Sequence, residues 1–431
     1  MNNIRRRMIT GVSAISVVLM LASCAPPAEE SAASAQPSTE LAEAGDTIPE
    51  VSVEAGFSPY ADELLAVAGI DEGYFGDVGI TISPEPNGAQ VDLIAALTPL
   101  LNKQIEVGSG YPPAAVAQMD SVTNVVAFAI SDVFYGYRIL APEGKYKTLQ
   151  DEMKSGKDYD EAVQSVVEQL RDQPVILREG VVPTFYELIL SKAGMTMDDM
   201  DVTYLANPDI VRAGFVGQAD FTSPTGAAQI TTMQLNGWEP LIELRDVIDN
   251  DAPEDTVSLR STFSGYLTTT EYAEANHDTL LRFTSVIYRL IDDLEADPEG
   301  TVERFRAYLN SYTGSEVTTE ELAGMFDGLY SMRNFEDASE LYLEEGAPFY
   351  FDEVMGAQID SLAETGVIQE GHTPDQLSIA GQIYEDLVRY REAADEALEA
   401  APDGELKTRA QEQYDARNYL DAYRFAAAAT S

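Results

Sequence analysis

Cysteine is almost missing from this chain: Cys24 is the only one. A disulfide, a thiolate nucleophile in the folded part and a cysteine metal site are thereby excluded, so the fold must rest on burial of apolar surface. Cations are also scarce. Lys and Arg number 26 against 74 Asp and Glu, a net charge of −48, and such a surface repels the phosphates of nucleic acid. Solubility or adaptation to salt accounts for the bulk of this acidity. Between Arg7 and Arg138 only Lys103 is basic, which suits that stretch poorly to a strong anion such as nitrate. The two histidines, His277 and His372, stand in no metal-ligand spacing. Neither a glycine-rich phosphate loop nor a serine-nucleophile elbow occurs, and no catalytic residue, cofactor or metal site is assigned. After the N-terminus no apolar run is long enough to span a bilayer.

A length of 431 residues with 45% hydrophobic content fits a chain of two to three domains. Its start has the layout of an export signal: Arg5, Arg6 and Arg7, an apolar run from Met8 to Leu21, then Leu21-Ala22-Ser23-Cys24. That last tetrapeptide resembles the lipobox of bacterial lipoproteins. The resemblance implies a signal peptide over residues 1–23 and lipidation (palmitate-type acylation) of Cys24, which anchors the chain to the cell membrane; the competing reading is an ordinary secretory signal. Residues 24–49, rich in Ala, Ser, Glu and Pro, are expected to be a flexible linker.

From Val51 the pattern is strand, loop, helix, turn, strand. Val51 and Val53 begin a strand, Ser58 is placed to cap a helix, and Pro59 fits its first position. Leu64, Leu65 and Ala68 give that helix an apolar stripe and Gly69 is expected to end it. Asn87-Gly88 makes a turn, Val91 to Leu101 has helical spacing, and Ile105 to Val107 is a strand followed by the loop at Ser109 and Tyr111. Asn124 to Ile130 is a continuous apolar run, as expected of a buried parallel strand. After a polar, helical stretch the plan restarts. Val175 to Leu177 is a strand, Thr184 to Glu187 matches a capping box, Val202 to Leu205 is a strand, and Phe221 ends another before Thr222 and Ser223. Ser264 to Thr269 is a strand, and from Asn276 the chain is helical, with Leu280, Phe283, Ile287, Leu290, Ile291 and Leu294 on one face. The helices past Glu385 are acidic with thin apolar faces, which predicts a surface position.

Alternation of strands and helices predicts an α/β fold. Loops at the carboxyl ends of such strands are where ligands sit, so Phe57, Ser58, Tyr60, Gly88, Ser109, Tyr111, Tyr135, Arg178, Thr184 and Ser223 are the candidate ligand-binding residues. Arg178, between a strand and a helix start, can hold an anionic or carbonyl-bearing end of a ligand. Each has a plainer alternative: local packing for the aromatics, a salt bridge for Arg178.

Glu72-Gly73-Tyr74-Phe75-Gly76-Asp77-Val78-Gly79-Ile80, Lys103-Gln104-Ile105-Glu106 and Gly217-Gln218-Ala219-Asp220 together resemble elements of the substrate-binding proteins of ABC importers for sulfonates, nitrate and thiamine-pyrimidine precursors. The resemblance implies a two-lobed periplasmic-binding-protein-like (type II) fold with a helical C-terminal region. Lobe 1 is expected over residues 50–140 plus 267–385, lobe 2 over 143–264, hinges near Leu140 and Tyr266, and an acidic helical extension over 386–431. It further implies a monomer that captures a small organic solute, heteroaromatic or sulfonate-like, outside the cytoplasm and hands it to an ABC permease. Two rivals stand beside it: a sensor or scaffold lipoprotein that binds a protein partner through the acidic helices, and an enzyme like the pyrimidine-precursor synthases, which the single cysteine and the placing of the histidines disfavour.

Overall fold

Val51, Val53 and Ala55 alternate with more exposed residues and form one strand of the first sheet. In the computed structural model, which describes residues 40–91, 97–178 and 182–430, this is β1 (Val51–Phe57). The strands that follow are β2 (Ile80–Ser83), β3 (Ala89–Gln90), β4 (Val107–Gly110), β5 (Val125–Phe134), β6 (Arg138–Pro142), β7 (Pro174–Leu177), β8 (Asp201–Tyr204), β9 (Phe221–Ser223), β10 (Trp238–Glu243), β11 (Phe263–Thr269) and β12 (Tyr330–Met332). They form two sheets. The first has the order β12-β5-β11-β4-β1-β2, with β3 also on β1; the second has the order β10-β6-β9-β7-β8. Cys24, with its expected lipidation, the expected signal peptide and most of the expected linker lie outside the described residues.

Two crossings join the sheets. One is short, Tyr135–Tyr137 between β5 and β6; the other runs from Leu244 to Thr262 and contains the helices Leu244–Asn250 and Pro253–Arg260. The first therefore precedes Leu140, which lies inside β6, and the second is complete before Tyr266, which lies inside β11. Both sheets are mixed. β1 is parallel to β2, β3 and β4, whereas β11 is antiparallel to β4 and β5 and β12 is antiparallel to β5. The parallel direction expected for β5 is thus corrected. All its residues are buried, and a continuous apolar run reports burial on both faces, not direction.

The segment after β1 also departs from expectation. Residues 58–64 form turns and the helix begins at Leu65 (Leu65–Asp71), so Ser58 and Pro59 do not start it. Gly69 lies within this helix instead of ending it. A Cβ there would stand 2.8 Å from Leu290 and 3.2 Å from Phe75, so its lack of a side chain lets the helix approach the helix His277–Ala296 closely. Gly73, at φ 79°, takes the left-handed turn. In the second half, the helix Val182–Ser191 places Thr184 at its third residue, inside the helix and not at its cap.

The predicted face of His277–Ala296, from Leu280 to Leu294, is buried; each such side chain contributes roughly 1.5–3 kcal/mol relative to exposure. Of the C-terminal helices, Glu405–Asp415 buries only Ala410 and has the expected surface position, whereas the other two do not. Ala380–Ala400 buries Ile383, Tyr384, Leu387 and Tyr390, and Tyr419–Thr430 buries Tyr419, Leu420 and Phe425. Asp421, fully buried, accepts from Arg282 at 2.6 and 3.0 Å. Just before Ala380, the Ala127 N–H donates to the Leu377 carbonyl and the Ile379 N–H to the Ala127 carbonyl, each at 2.8 Å, laying residues 377–379 along β5. Among the described residues no helix is long and apolar enough to cross a membrane.

Candidate functional site

The registers bring several chain ends to one end of the first sheet. β1 finishes at Phe57, β4 at Gly110 and β5 at Phe134; β11 enters there, with Phe263 opposite Val133 and Gly265 opposite Gly110, and so does β12, with Tyr330 opposite Phe134. Both crossings to the second sheet leave from this end. The turn of residues 58–64 lies over it, which is the position where α/β proteins hold ligands.

That turn carries two carboxyl groups inward. Asp62 is 3% and Glu63 1% exposed, and Asp132 of β5 is fully buried. The Tyr330 and Ser264 hydroxyls and the Asp132 carboxyl lie beside Asp62. Ser131 Oγ donates to Asp132 Oδ2 at 2.9 Å. Four carboxyl oxygens remain without a hydrogen-bond partner, namely Asp62 Oδ1, Asp132 Oδ1 and both of Glu63, as does the hydroxyl of Tyr266. Ionising such groups away from water is costly. Burial accordingly pushes Asp62 up to about 6, against the Tyr330 and Ser264 hydroxyls. It lifts Glu63 well above the carboxylate range, with the charges of Asp62 and Asp132 adding to it and the Ser109 hydroxyl pulling the other way. Asp132 is raised likewise by burial and then by Asp62, with Ser131 and Arg333 opposing. Arg333 is itself engaged, pairing with Glu340 at 3.2 Å and lying over the Phe349 ring. Arg333 Nε, also without a partner, is a cationic donor beside Asp132, and a charged N–H group bound among the three carboxyls would hold them ionised, as acceptors only.

The candidates from the sequence divide into three groups. Ser58 and Ser109 meet at the site: the Ser58 N–H donates to Ser109 Oγ at 2.8 Å and the Ser109 hydroxyl to Ser58 Oγ at 3.1 Å, both side chains fully buried. Tyr111 is beside them, donating to the Ser261 carbonyl at 2.9 Å and hydrogen-bonded to Tyr137 of the first crossing. Tyr60, half-buried in the same turn, lies near Tyr137 and Tyr330. Phe57 and Gly88 form a second group, set in packing. Phe57 is fully buried edge-on to Tyr266, and Gly88, at φ 74°, passes so close to β1 that a Cβ would stand 2.9 Å from the Ala55 carbonyl. The others lie toward the second sheet. Ser223 Oγ contacts Tyr186 Oη at 2.8 Å and donates to the Arg138 carbonyl at 2.6 Å. Arg178 is half-buried, its N–H donating to the Ser223 carbonyl, with no described residue paired to its guanidinium. Thr184 is half-buried on its helix. Tyr135 lies in the first crossing with the Arg245 guanidinium 4.7 Å from its ring centre. There it borders a groove of about 600 Å³ that the second sheet's helix Ala227–Leu235 and the first sheet's helix Thr319–Gly328 line from opposite sides, with the Arg138 and Glu243 ion pair between them.

Asp62, Glu63, Asp132, Tyr266 and Tyr330 are site residues that reading the sequence missed. A signal existed for the acids. Asp62 and Glu63 interrupt an apolar run from Ala61 to Ile70, and Asp132 sits near the end of a strand buried on both faces. A carboxylate in such a place is unusual enough to be read as a site. Among the described residues no group of three or more His, Cys, Asp or Glu has the geometry to hold a metal ion.

No family model matches the chain, and no curated protein does. Solved structures do. The periplasmic aliphatic sulphonate binding protein SsuA from Escherichia coli superposes with a TM-score of 0.50 at 17% identity, over 75% of this chain and 91% of that one. A putative sulfonate ABC transporter's periplasmic sulfonate-binding protein SsuA from Methylobacillus flagellatus gives 0.52 at 11%, over 79% and 96%. The ligand-binding component of an ABC-type import system from Staphylococcus aureus, with zinc bound, gives 0.51 at 10%, over 78% and 99%. At these identities the likeness carries the architecture: two mixed sheets joined by two crossings, the fold of periplasmic binding proteins, is the fold of this chain.

Proposed function

We propose that the chain is an extracytoplasmic solute-binding protein that captures a small organic solute between its two sheet-bearing lobes and delivers it to an ABC import permease. The observation that carries this reading is the buried polar cluster of Ser58, Asp62, Glu63, Ser109 and Asp132 at the end of the first sheet from which both crossings depart. Groups left unpaired in a dry site cost stability unless a ligand meets them. On this reading Ser58, Tyr60, Ser109 and Tyr111 bind from one lobe, Arg178 and Ser223 from the other, and Phe57 and Gly88 shape the strand behind them. Closure turns on Tyr135–Tyr137 and on the segment Leu244–Thr262, and the ligand selects the closed form by touching both lobes. Lipidation of Cys24 would hold the protein at the membrane surface, as a monomer beside its permease.

The test is a thermal-shift screen over sulfonates, pyrimidines, flavins, aromatic acids and organic amines, because a ligand of the native state alone raises the melting temperature. Small-angle scattering with the best hit should then show a fall in radius of gyration. A flat screen across all classes refutes solute capture.

A further inference from the structure

We infer that the site beneath the turn of residues 58–64 takes the head group of a small organic cation bearing N–H donors, a primary ammonium, amidinium or guanidinium, seated among Asp62, Glu63, Asp132 and the Tyr266 hydroxyl. This rests on the capture reading above and names its ligand class. The three carboxyls come from two separate elements, the turn after β1 and the strand β5, and converge where both crossings leave. Their four unpartnered oxygens outnumber the one unpartnered nitrogen of the opposing guanidinium, Arg333 Nε, whose Nη1 pairs with Glu340. An anion entering here would keep three carboxyls protonated and meet a single guanidinium already shared with Glu340, whereas a cation would pair with all three.

Tyr266 points to a ligand independently of the acids. It stands on β11, between β4 and β5, fully buried, its ring held by Phe57, Phe128 and Phe283. Its hydroxyl has no hydrogen-bond partner and feels the charges of Glu63, Asp62 and Asp132, in that order. A ring fixed so firmly presents its hydroxyl to the acid cluster at no further cost in side-chain freedom. An ammonium or amidinium donates to several oxygens at once, and such charge-assisted bonds are the strong ones. A quaternary ammonium has no N–H to give. A bare metal ion would need a ligand geometry that these carboxyls do not have.

The experiment titrates the full chain by calorimetry and thermal shift with putrescine, agmatine and benzamidine, with tetramethylammonium and choline, and with ethanesulfonate and nitrate. The N–H cations should bind and raise the melting temperature; the other two groups should not. Glu63→Gln should weaken the bound amine at least tenfold while leaving the free chain as stable as before or more so, since it removes an unpaired buried acid. Tyr266→Phe, which removes one hydroxyl, should weaken it several-fold. Binding of sulfonate or nitrate alone overturns the cation assignment and leaves solute capture standing. Equal binding of quaternary and primary amines overturns the N–H requirement. Amine affinity unchanged in both variants places the ligand elsewhere, and no response to any probe overturns the cation assignment.

Discussion

Asp421→Ala tests whether the C-terminal helices belong to the folded body. Asp421 is fully buried and Arg282 3% exposed, joined by two hydrogen bonds at 2.6 and 3.0 Å. Asn418 Nδ2 and Arg424 Nη1 add bonds to the same carboxylate at 2.9 and 2.7 Å. Burial acts to raise the pKa of Asp421, but the bond and charge of Arg282 outweigh it and hold the carboxyl below its ordinary range. Removing one member of a buried pair leaves the other charge stranded, a loss of about 3–5 kcal/mol. With about 2.1 cal/mol/K of unfolding entropy per residue over roughly 390 residues, this lowers the melting temperature by about 4–6 °C. Differential scanning calorimetry measures it directly. A shift below 1 °C, or a chain ending at Gly404 that melts like the full one, would refute the reasoning and return the helix Tyr419–Thr430 to the role of a free appendage.

Asp62 gives a pH signature. Its folded carboxyl titrates at about 6, above the ordinary value of about 3.9, so the folded chain keeps a proton that the unfolded chain has released. Stability from this group therefore falls as pH rises from about 4 to 6, by on the order of 2–3 kcal/mol. Urea melts should show wild type losing stability relative to Asp62→Asn across that window, and parallel profiles would contradict it. At Gly265 a Cβ would lie 2.0 Å from the Ala129 carbonyl oxygen and 2.9 Å from the Ile130 Cα. Because backbone cannot yield there, Gly265→Ala should cost about 3 kcal/mol or more, read as a shifted urea midpoint. Arg178→Ala should weaken the identified solute about tenfold without changing the melting temperature of the free chain by more than about 1 °C; equal calorimetric affinities would remove Arg178 from the site.

Much of the fold was legible because its signals are local. The face of His277–Ala296 follows from spacing alone, and β7 and β8 appear within a residue of where their apolar runs put them, whereas β9 begins at Phe221, where its end was expected, and takes in Thr222 and Ser223. β12 was not legible, since Tyr330–Met332 is three residues long and owes its state to pairing with β5. The direction of β5 and the position of the crossings depend on partners far along the chain, which no run of side chains encodes. Of the candidate site, the pairing of Ser58 with Ser109 follows from the ends of neighbouring strands, although Ser109 lies inside β4 and not in the loop expected there. The acids were passed over because only tertiary packing turns Asp62 and Glu63 inward.

The short parallel contact of residues 377–379 with Ala127 has a bearing on how the protein behaves at high concentration. β5 is flanked by β11 on one side; on its other side β12 covers Asp132 to Phe134 and residues 377–379 cover Ala127. Its free rim is thereby broken into pieces too short to template a foreign strand. A chain bearing ten consecutive buried residues in one strand would otherwise offer a ready seed for fibril growth, and changing Ile379 to proline, which removes the N–H that donates to the Ala127 carbonyl, should be where self-association begins.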